Sequence, residues 1–172
     1  QMYQKFGKRV KVAVCEKRTK GIERLLQLQP EINLIILDDA FQHRYVKPKV
    51  SILLMDKNRP VYDDKILPLG RLREHKSGIY RAGFIVVTKC PQSIKPVDCR
   101  LISDRLSLFP YQKLFFSYTR YLNLKPVFED EAPYSVTLDS LTSADTIILV
   151  TGIANPRPLI RECRKSKARI KI

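Results

Sequence analysis

The prediction of the fold starts from the sequence N-L-I-I-L-D-D-A-F-Q-H-R at residues 33–44. Its apolar run continues without interruption from residue 34 to residue 37 and ends at two consecutive carboxylates, Asp38 and Asp39. An unbroken apolar run is typical of a strand that is buried on both faces, as in a parallel sheet. Ligands of open α/β sheets bind beyond the carboxyl ends of the strands. The stretch therefore predicts a buried parallel strand with the two carboxylates at the binding edge.

The paired carboxylates have two interpretations. A single Asp after an apolar run commonly caps a helix or closes a turn. A cap does not need a second Asp, and adjacent carboxylates repel each other unless a cation or hydrogen-bond donors compensate their charge. An Asp at the end of such a strand can also hold the Mg²⁺ of a bound nucleotide. The doubled Asp, followed closely by Gln42 and His43, therefore raises the chance that the stretch carries chemistry.

Apolar periodicity predicts strands alternating with helices along the chain. The predicted strands are residues 10–15, 33–37, 50–56, 84–88, 113–118 and 146–151, and residues 136–141 form either an edge strand or a linker. The predicted helices are residues 18–28, about 70–82, 98–108 and 159–167. This alternation predicts an α/β fold, a doubly wound and mostly parallel sheet. A connection between two lobes is expected around residues 119–145.

Composition limits the possible functions. A chain of 172 residues with 44% hydrophobic residues suits one domain with a sizeable core. The net charge of +15 favours an anionic partner: nucleic acid, a nucleotide or phosphosugar, or an anionic membrane surface. The four cysteines form no C-x-x-C pair, so zinc or redox spacing is absent, and the sequence indicates a cytoplasmic protein. No apolar run is long enough to span a membrane.

A phosphate-binding loop is missing from these residues. Neither G-x-x-x-x-G-K-[ST] nor G-x-G-x-x-G occurs around any of the six glycines. A strand that ends in a metal-binding Asp should work with such a loop. Either the protein is not a nucleotide enzyme, or the phosphate loop lies before Gln1. Because the first residue is not Met, we expect the sequence to be truncated.

Three ordered motifs carry a resemblance to a known family. They are D-D-A-F-Q-H-R at residues 38–44, L-P-L-G-R-L-R-E at residues 67–74, and G-I-A-N-P at residues 152–156. In this order they resemble the tetraacyldisaccharide 4'-kinases, the lipid A 4'-kinases of Gram-negative bacteria. The departures are Ala40 where Gly is frequent, Leu69 for Ala, and Arg71 and His75 where Pro is common. The resemblance covers nearly the whole chain.

The resemblance implies a P-loop-NTPase-like fold, of which residues 1–172 would be the middle portion of the kinase core, without its phosphate-loop and C-terminal segments. It implies transfer of the γ-phosphoryl group of ATP, with Mg²⁺, to the 4'-hydroxyl of a tetraacylated glucosamine disaccharide 1-phosphate. It also implies a cytoplasmic enzyme that lies peripherally on the anionic inner face of the inner membrane. We expect these residues alone to be inactive.

The resemblance implies eight site residues with four kinds of role. The acidic pair would hold Mg²⁺ and act in catalysis, a guanidinium would grip phosphate with two donors, and an imidazole would contact the nucleotide phosphates. By role they are Asp38 and Asp39 for metal and catalysis, His43 and Arg73 for catalysis, Gln42 and Asn155 for the nucleotide, and Arg18 and Arg71 for the substrate. Glu74 is expected to orient Arg73 or to begin a helix.

Two alternatives to an active kinase stay open from the residues. A basic α/β protein that binds nucleic acid would explain the net charge and the basic end of the chain. An acidic pair in a basic surface is awkward for that hypothesis, so no nucleic acid is expected, and no obligate protein partner is predicted. The second alternative is a noncatalytic relative of the kinase.

Overall fold

The computed structural model describes residues 5–126 and 136–171. The chain divides into two compact units, the first ending at Tyr118 and the second beginning at Thr119. The first unit contains α1 (Arg18–Leu28), β1 (Ile52–Asp56), β2 (Phe84–Thr88), α2 (Pro96–Leu106) and β3 (Lys113–Phe116), with short 3-10 helices at Gly7–Arg9 and Lys76–Arg81. The second contains β4 (Thr146–Ile148), α3 (Arg157–Cys163) and β5 (Arg169–Lys171), with a 3-10 helix at Leu138–Ser140.

The first unit is built on a parallel sheet with the strand order β1-β2-β3. Strand β2 lies in the centre, and its sequence F-I-V-V-T supplies the β-branched residues that such a position favours. Ile85 and Val87 point to one face and are completely buried with Met55 of β1 and Ile102 of α2. This buried face is the core of the unit, and the predicted α/β class with parallel strands is confirmed.

The opposite face of the same sheet is apolar but open to solvent. Side chains of a strand alternate between the two faces, so Ile52 and Leu54 of β1 point away from the core. Leu54 is 67% exposed, and Phe115 of β3, which stacks on Phe84, is half exposed. In most parallel sheets both faces are covered by helices. Within residues 5–126, one face of this sheet is therefore covered and the other is not.

The second unit has a smaller parallel sheet. Strands β4 and β5 pair in parallel, with Ile147 opposite Ile170, and α3 lies between them in the chain and buries Cys163. Strand β5 was not predicted, because its charged residues hide the alternation of the sequence R-I-K. Within the described residues, 136–141 make one β-bridge, the isolated antiparallel bridge of Val136 to Leu124. The lobe connection expected around residues 119–145 falls partly on residues 127–135, which lie outside the described residues.

Two predicted strands are wrong. Residues 10–15 and 33–37 form no ladder with any described strand. Their apolar side chains are correspondingly open: Val14 is 96% exposed and Ile36 is 83% exposed. An apolar run shows that a segment would gain from burial, whereas a strand also needs a neighbour that accepts its backbone hydrogen bonds. Among residues 5–126 and 136–171, no strand pairs with residues 33–37, so the acidic pair does not follow a described strand.

The helix predictions have mixed outcomes. Helix α1 occupies the predicted residues 18–28, and α2 and α3 begin two residues before the predicted starts. The helix predicted at about residues 70–82 is wrong. Residues 65–72 form a turn in which Leu72 N–H donates to the Lys65 carbonyl, and a 3-10 helix begins only after His75, whose side chain accepts from Ser77 N–H. None of the described helices is long and apolar enough to cross a membrane.

The two faces of the first sheet predict different costs of truncation. We expect Ile85→Ala to lower the free energy of unfolding by about 2–5 kcal/mol, since it leaves a cavity in the core. Leu54→Ala, on the open face, should change it by no more than about 0.5 kcal/mol. Urea unfolding followed by circular dichroism measures both changes. Equal losses would show that the outer face is covered in solution.

Candidate functional site

The acidic loop, residues 38–44, is a compact turn rather than the end of a strand. Asp39 has a backbone φ of 46°, the left-handed region that Asp tolerates better than most residues. The turn is closed by His43 N–H, which donates to the Ala40 carbonyl at 2.9 Å. Phe41 packs against the buried core of the first unit. The loop is therefore anchored by an aromatic side chain while its carboxylates stay at the surface.

An ion pair joins the acidic loop to the second motif. Arg73 Nη1 donates to Asp39 Oδ2 at 2.8 Å, across 34 residues of sequence. Both side chains are more than half exposed, so the pair itself contributes little stability. The hydrogen bond from Arg73 and the positive charge behind it lower the pKa of Asp39 below its ordinary value. Arg73 thus favours the carboxylate form of Asp39, which an exposed Asp already adopts at neutral pH.

Two further predicted residues lie near the same carboxylate. The charges of His43 and Arg18 also lower the pKa of Asp39, more weakly than Arg73 does. Arg18 is the first residue of α1, and its guanidinium donates to the carbonyl of Cys15. Arg73 thus contacts Asp39 directly, whereas Arg18 and His43 act on it through their charges alone in the described contacts. Three basic groups around one carboxylate suit a site that receives several negative phosphate oxygens.

The acidic pair has the donor set that Mg²⁺ needs. Among residues 5–126 and 136–171 no hydrogen bond or ion pair engages the exposed carboxylate of Asp38. These residues also contain no cluster of three or more metal-ligating side chains. Mg²⁺ does not require such a cage, because it is commonly held by one or two carboxylates together with substrate phosphates and water. Asp38 and Asp39 therefore fit a magnesium ion that arrives with a nucleotide.

Arg71 lies in a different set of contacts. Its backbone N–H donates to Asp64 Oδ1 at 3.2 Å, and its charge contributes to the lowered pKa of that carboxyl. The preceding residue, Gly70, passes so close to Asp64 and Lys65 that a Cβ would lie 2.2 Å from the Lys65 carbonyl oxygen. The glycine of the second motif is therefore required because a side chain at residue 70 would clash with the backbone of Lys65. Arg71 is not joined to the acidic pair by any described contact.

Glu74 does not orient Arg73 as predicted, nor does it begin an α-helix. One of its carboxylate oxygens accepts from Arg44 at 3.0 Å and the other pairs with Arg81. Glu74 thus holds the end of the acidic loop. These contacts of Arg44 and Arg81 were not predicted: Arg44 belongs to the first motif but was given no role, and Arg81 lies outside the three motifs.

The two predicted nucleotide contacts stay predictions. Gln42 is exposed in the acidic loop, and its carbonyl accepts from Arg44 N–H at 3.0 Å. Asn155 belongs to the second unit, where its side-chain oxygen accepts from the Arg157 N–H at 3.3 Å. That bond lies at the beginning of α3, which is a sufficient structural reason for an Asn there.

Comparisons with known proteins agree on one family. The family model described as tetraacyldisaccharide-1-P 4'-kinase matches residues 1–171. A tetraacyldisaccharide 4'-kinase of Bacteroides thetaiotaomicron is 52% identical over 171 residues, which are 95% of this chain and 44% of that protein. A protein of the same name from Bacteroides fragilis is 52% identical, over 94% of this chain and 43% of its own length. One from Porphyromonas gingivalis is 42% identical, over 89% and 42%. No solved structure matches the chain. The chain thus spans less than half the length of these curated relatives.

The ion pair predicts a titration that depends on Arg73. Arg73→Met should raise the pKa of Asp39 toward its ordinary value, because the hydrogen bond and the charge are both removed. A carboxyl ¹³C titration by NMR measures this shift. Asp145 is the internal control: its pKa is lowered by hydrogen bonds from Thr142, so it should not respond to Arg73→Met.

The sign of the pH dependence follows from the same pair. The folded-state pKa of Asp39 lies below its unfolded value, so the pair favours folding at neutral pH. This contribution is lost as the pH falls through the folded-state pKa. An Asp39 titration that is the same in both proteins would contradict the pair.

Proposed function

The chain belongs to the tetraacyldisaccharide-1-P 4'-kinase family, and we propose that the protein transfers the γ-phosphoryl group of ATP to the 4'-hydroxyl of a tetraacylated disaccharide 1-phosphate. The observation that supports this most strongly is the ion pair of Asp39 with Arg73, because it joins the first two motifs at one point. The names of the relatives specify the acceptor as a tetraacyldisaccharide and the reaction as 4'-phosphorylation.

In this proposal the acidic pair holds the metal. Asp38 and Asp39 would hold Mg²⁺, and the ion would supply positive charge to neutralise the phosphates of ATP. Phosphoryl transfer depends mainly on positioning and on charge stabilisation, so a site made of carboxylates and guanidinium groups suits the reaction. The bond from the sugar oxygen to phosphorus forms while the bond to the leaving ADP oxygen breaks, and the hydroxyl proton is released.

The basic residues around Asp39 receive the anionic ligands. Arg73 is proposed to donate to phosphate with its two terminal nitrogens, and His43 to contact the nucleotide from the acidic loop. Arg18 is proposed to meet the substrate, and the influence of its charge on the pKa of Asp39 supports this. Gln42 and Asn155 are proposed as nucleotide contacts. Arg71, which faces Asp64, is proposed as a substrate contact with the least structural support.

Peripheral association with the inner face of the inner membrane is part of the proposal. The acceptor carries acyl chains, so the enzyme must meet it at a lipid surface. The net charge of +15 would draw the protein toward anionic lipids, since each Lys or Arg close to such a surface gains about 1 kcal/mol.

The role of Asp39 predicts a selective loss of turnover. In the protein as its gene encodes it, Asp39→Asn should lower kcat by about 100-fold or more, because a metal-binding charge is removed from the transition state. Asn tolerates the left-handed backbone of residue 39, so the loop should keep its conformation. Transfer of ³²P from γ-labelled ATP to the disaccharide 1-phosphate measures the rate.

Asp63→Asn is the matched control for this experiment. Asp63 is also exposed and pairs with an arginine, Arg105, at 3.2 Å, but it lies outside the three motifs. Its replacement should leave kcat unchanged. The same small effect from both substitutions would exclude Asp39 from the reaction, and absence of 4'-phosphorylation by the unsubstituted protein would refute the proposed function.

The membrane proposal predicts binding that depends on lipid charge. The protein should sediment with vesicles that contain anionic phospholipid and stay in solution with vesicles of neutral phospholipid. Raising the salt concentration should release it, since screening weakens attraction between exposed charges. Equal partitioning to both kinds of vesicle would remove the electrostatic part of the proposal.

A further inference from the structure

Arg81 makes contacts with both of the motifs that meet at Asp39, although it belongs to neither. Its Nη1 donates to the Phe41 carbonyl at 2.9 Å, and its guanidinium carbon lies 4.3 Å from the centre of the Phe41 ring. Its Nη2 pairs with Glu74 Oε1. Its Nε also donates to the Gly78 carbonyl at 3.4 Å. One side chain thus holds the backbone and the ring of the acidic loop against the second motif.

The pair of Arg81 with Glu74 is shielded from solvent. The two side chains are 20% and 19% exposed, whereas every other ion pair in the described part of the chain has a partner that is about half exposed or more. A shielded charge that loses its partner is costly, whereas an exposed pair contributes little. Arg81 therefore constrains its neighbours more strongly than the exposed pair of Arg73 and Asp39 can.

Gly78 leaves the space that this pair occupies. Gly78 is buried, and a Cβ there would lie 3.1 Å from the Glu74 carboxyl carbon and 3.2 Å from Arg81 Nη2. These separations are tighter than ordinary side-chain contacts, so the pair would have to move. A methyl group at residue 78 thus disturbs the Arg81 contacts without changing any charge.

The acidic loop is held at two points by this arrangement. Arg81 binds Phe41 in its middle, and the second oxygen of Glu74 binds Arg44 at its end. His43 lies between the two fixed points, and Asp39 lies two residues before the first. Since the exposed carboxylates make few contacts of their own, their location follows from these attachments.

We propose that Arg81 is a positioning residue: it fixes the acidic loop so that Asp39 meets Arg73 and the carboxylates face the metal and the phosphates. This role rests on the proposed kinase function. Arg81 touches neither substrate nor metal in it. Lysine cannot replace Arg81. The planar guanidinium contacts the carbonyl and the ring of Phe41, Glu74 and the Gly78 carbonyl at once, and a single ammonium group cannot make all four contacts.

Three variants test the proposal in the protein as its gene encodes it: Arg81→Met, Arg81→Lys and Gly78→Ala. The acidic loop should shift in each variant. A displacement of about 1 Å at a reacting group can lower kcat by about 100-fold. The Mg²⁺ concentration for half-maximal rate should rise in all three variants, because the carboxylates of Asp38 and Asp39 are no longer held in fixed positions. Arg105→Met is the matched control, because Arg105 also lies over an aromatic ring, that of Tyr62, and pairs with an exposed Asp. It should change neither quantity.

Hydrogen exchange separates positioning from general destabilisation. Amides of residues 38–44 should exchange about tenfold faster or more in Arg81→Met, while those of β2 keep their rates. An unchanged loop, or equal acceleration in β2, would overturn the proposal. This readout does not need catalysis, so it decides the role of Arg81 in holding the loop even if the unsubstituted protein shows no kinase activity. In an active protein, a normal kcat and Mg²⁺ requirement in all three variants would overturn the positioning role.

Discussion

The contact between residues 38–44 and residues 73–81 is the constraint on which the candidate site depends. At the surface this contact consists of the exposed ion pair of Asp39 with Arg73. Exposed pairs typically contribute only about 0–1 kcal/mol to stability. Such a pair cannot by itself order a surface loop, because fixing one residue costs about 1–2 kcal/mol of conformational entropy. The shielded contacts of Arg81 and the packing of Phe41 against the core supply what the exposed pair lacks.

Two aspartates show how the same sequence pattern leads to different structures. Asp56 and Asp38 both follow an apolar run. The Asp56 carboxylate accepts from Asn58 N–H at 2.9 Å and pairs with Lys89, so it closes its own turn and joins two neighbouring strand ends. Asp39, by contrast, pairs with a residue 34 positions away, and Asp38 has no described partner. The turn interpretation therefore accounts for the Asp56 carboxylate, whereas the Asp39 carboxylate is engaged by a distant residue and not by its own turn.

The sequence predicted those parts of the fold in which a local pattern and its neighbours agree. Helix α1 has apolar residues at helical spacing, and β2 has an apolar run with a strand on each side, so both occur as predicted. Residues 33–37 have the same kind of apolar run without a strand to pair with, and the pattern cannot show whether a neighbour is present. The parallel pairing of β4 and β5 likewise depends on residues that are far apart in the chain.

The residues of the candidate site were predicted from the motifs, so the prediction did not cover residues outside them. The resemblance pointed to Asp39 and Arg73, which the structure joins in an ion pair, and to His43 and Arg18, whose charges act on the same carboxyl. It gave Glu74 the wrong partner, since a carboxylate next to Arg73 in the sequence need not face it in the turn. Arg81 has no local signal, because an arginine in a short polar helix looks like a solvated residue until the surrounding chain shields it.

We expect the acidic loop and the second motif to act as one site. The most direct test is a double-mutant cycle with Asp39→Asn and Arg73→Met. The quantity to measure is kcat/KM for 4'-phosphorylation by the protein as its gene encodes it. Residues that act as a unit give losses that do not multiply. We expect the double variant to be little worse than the more damaged single variant. Losses that multiply would show that the two residues act independently and would contradict a single site.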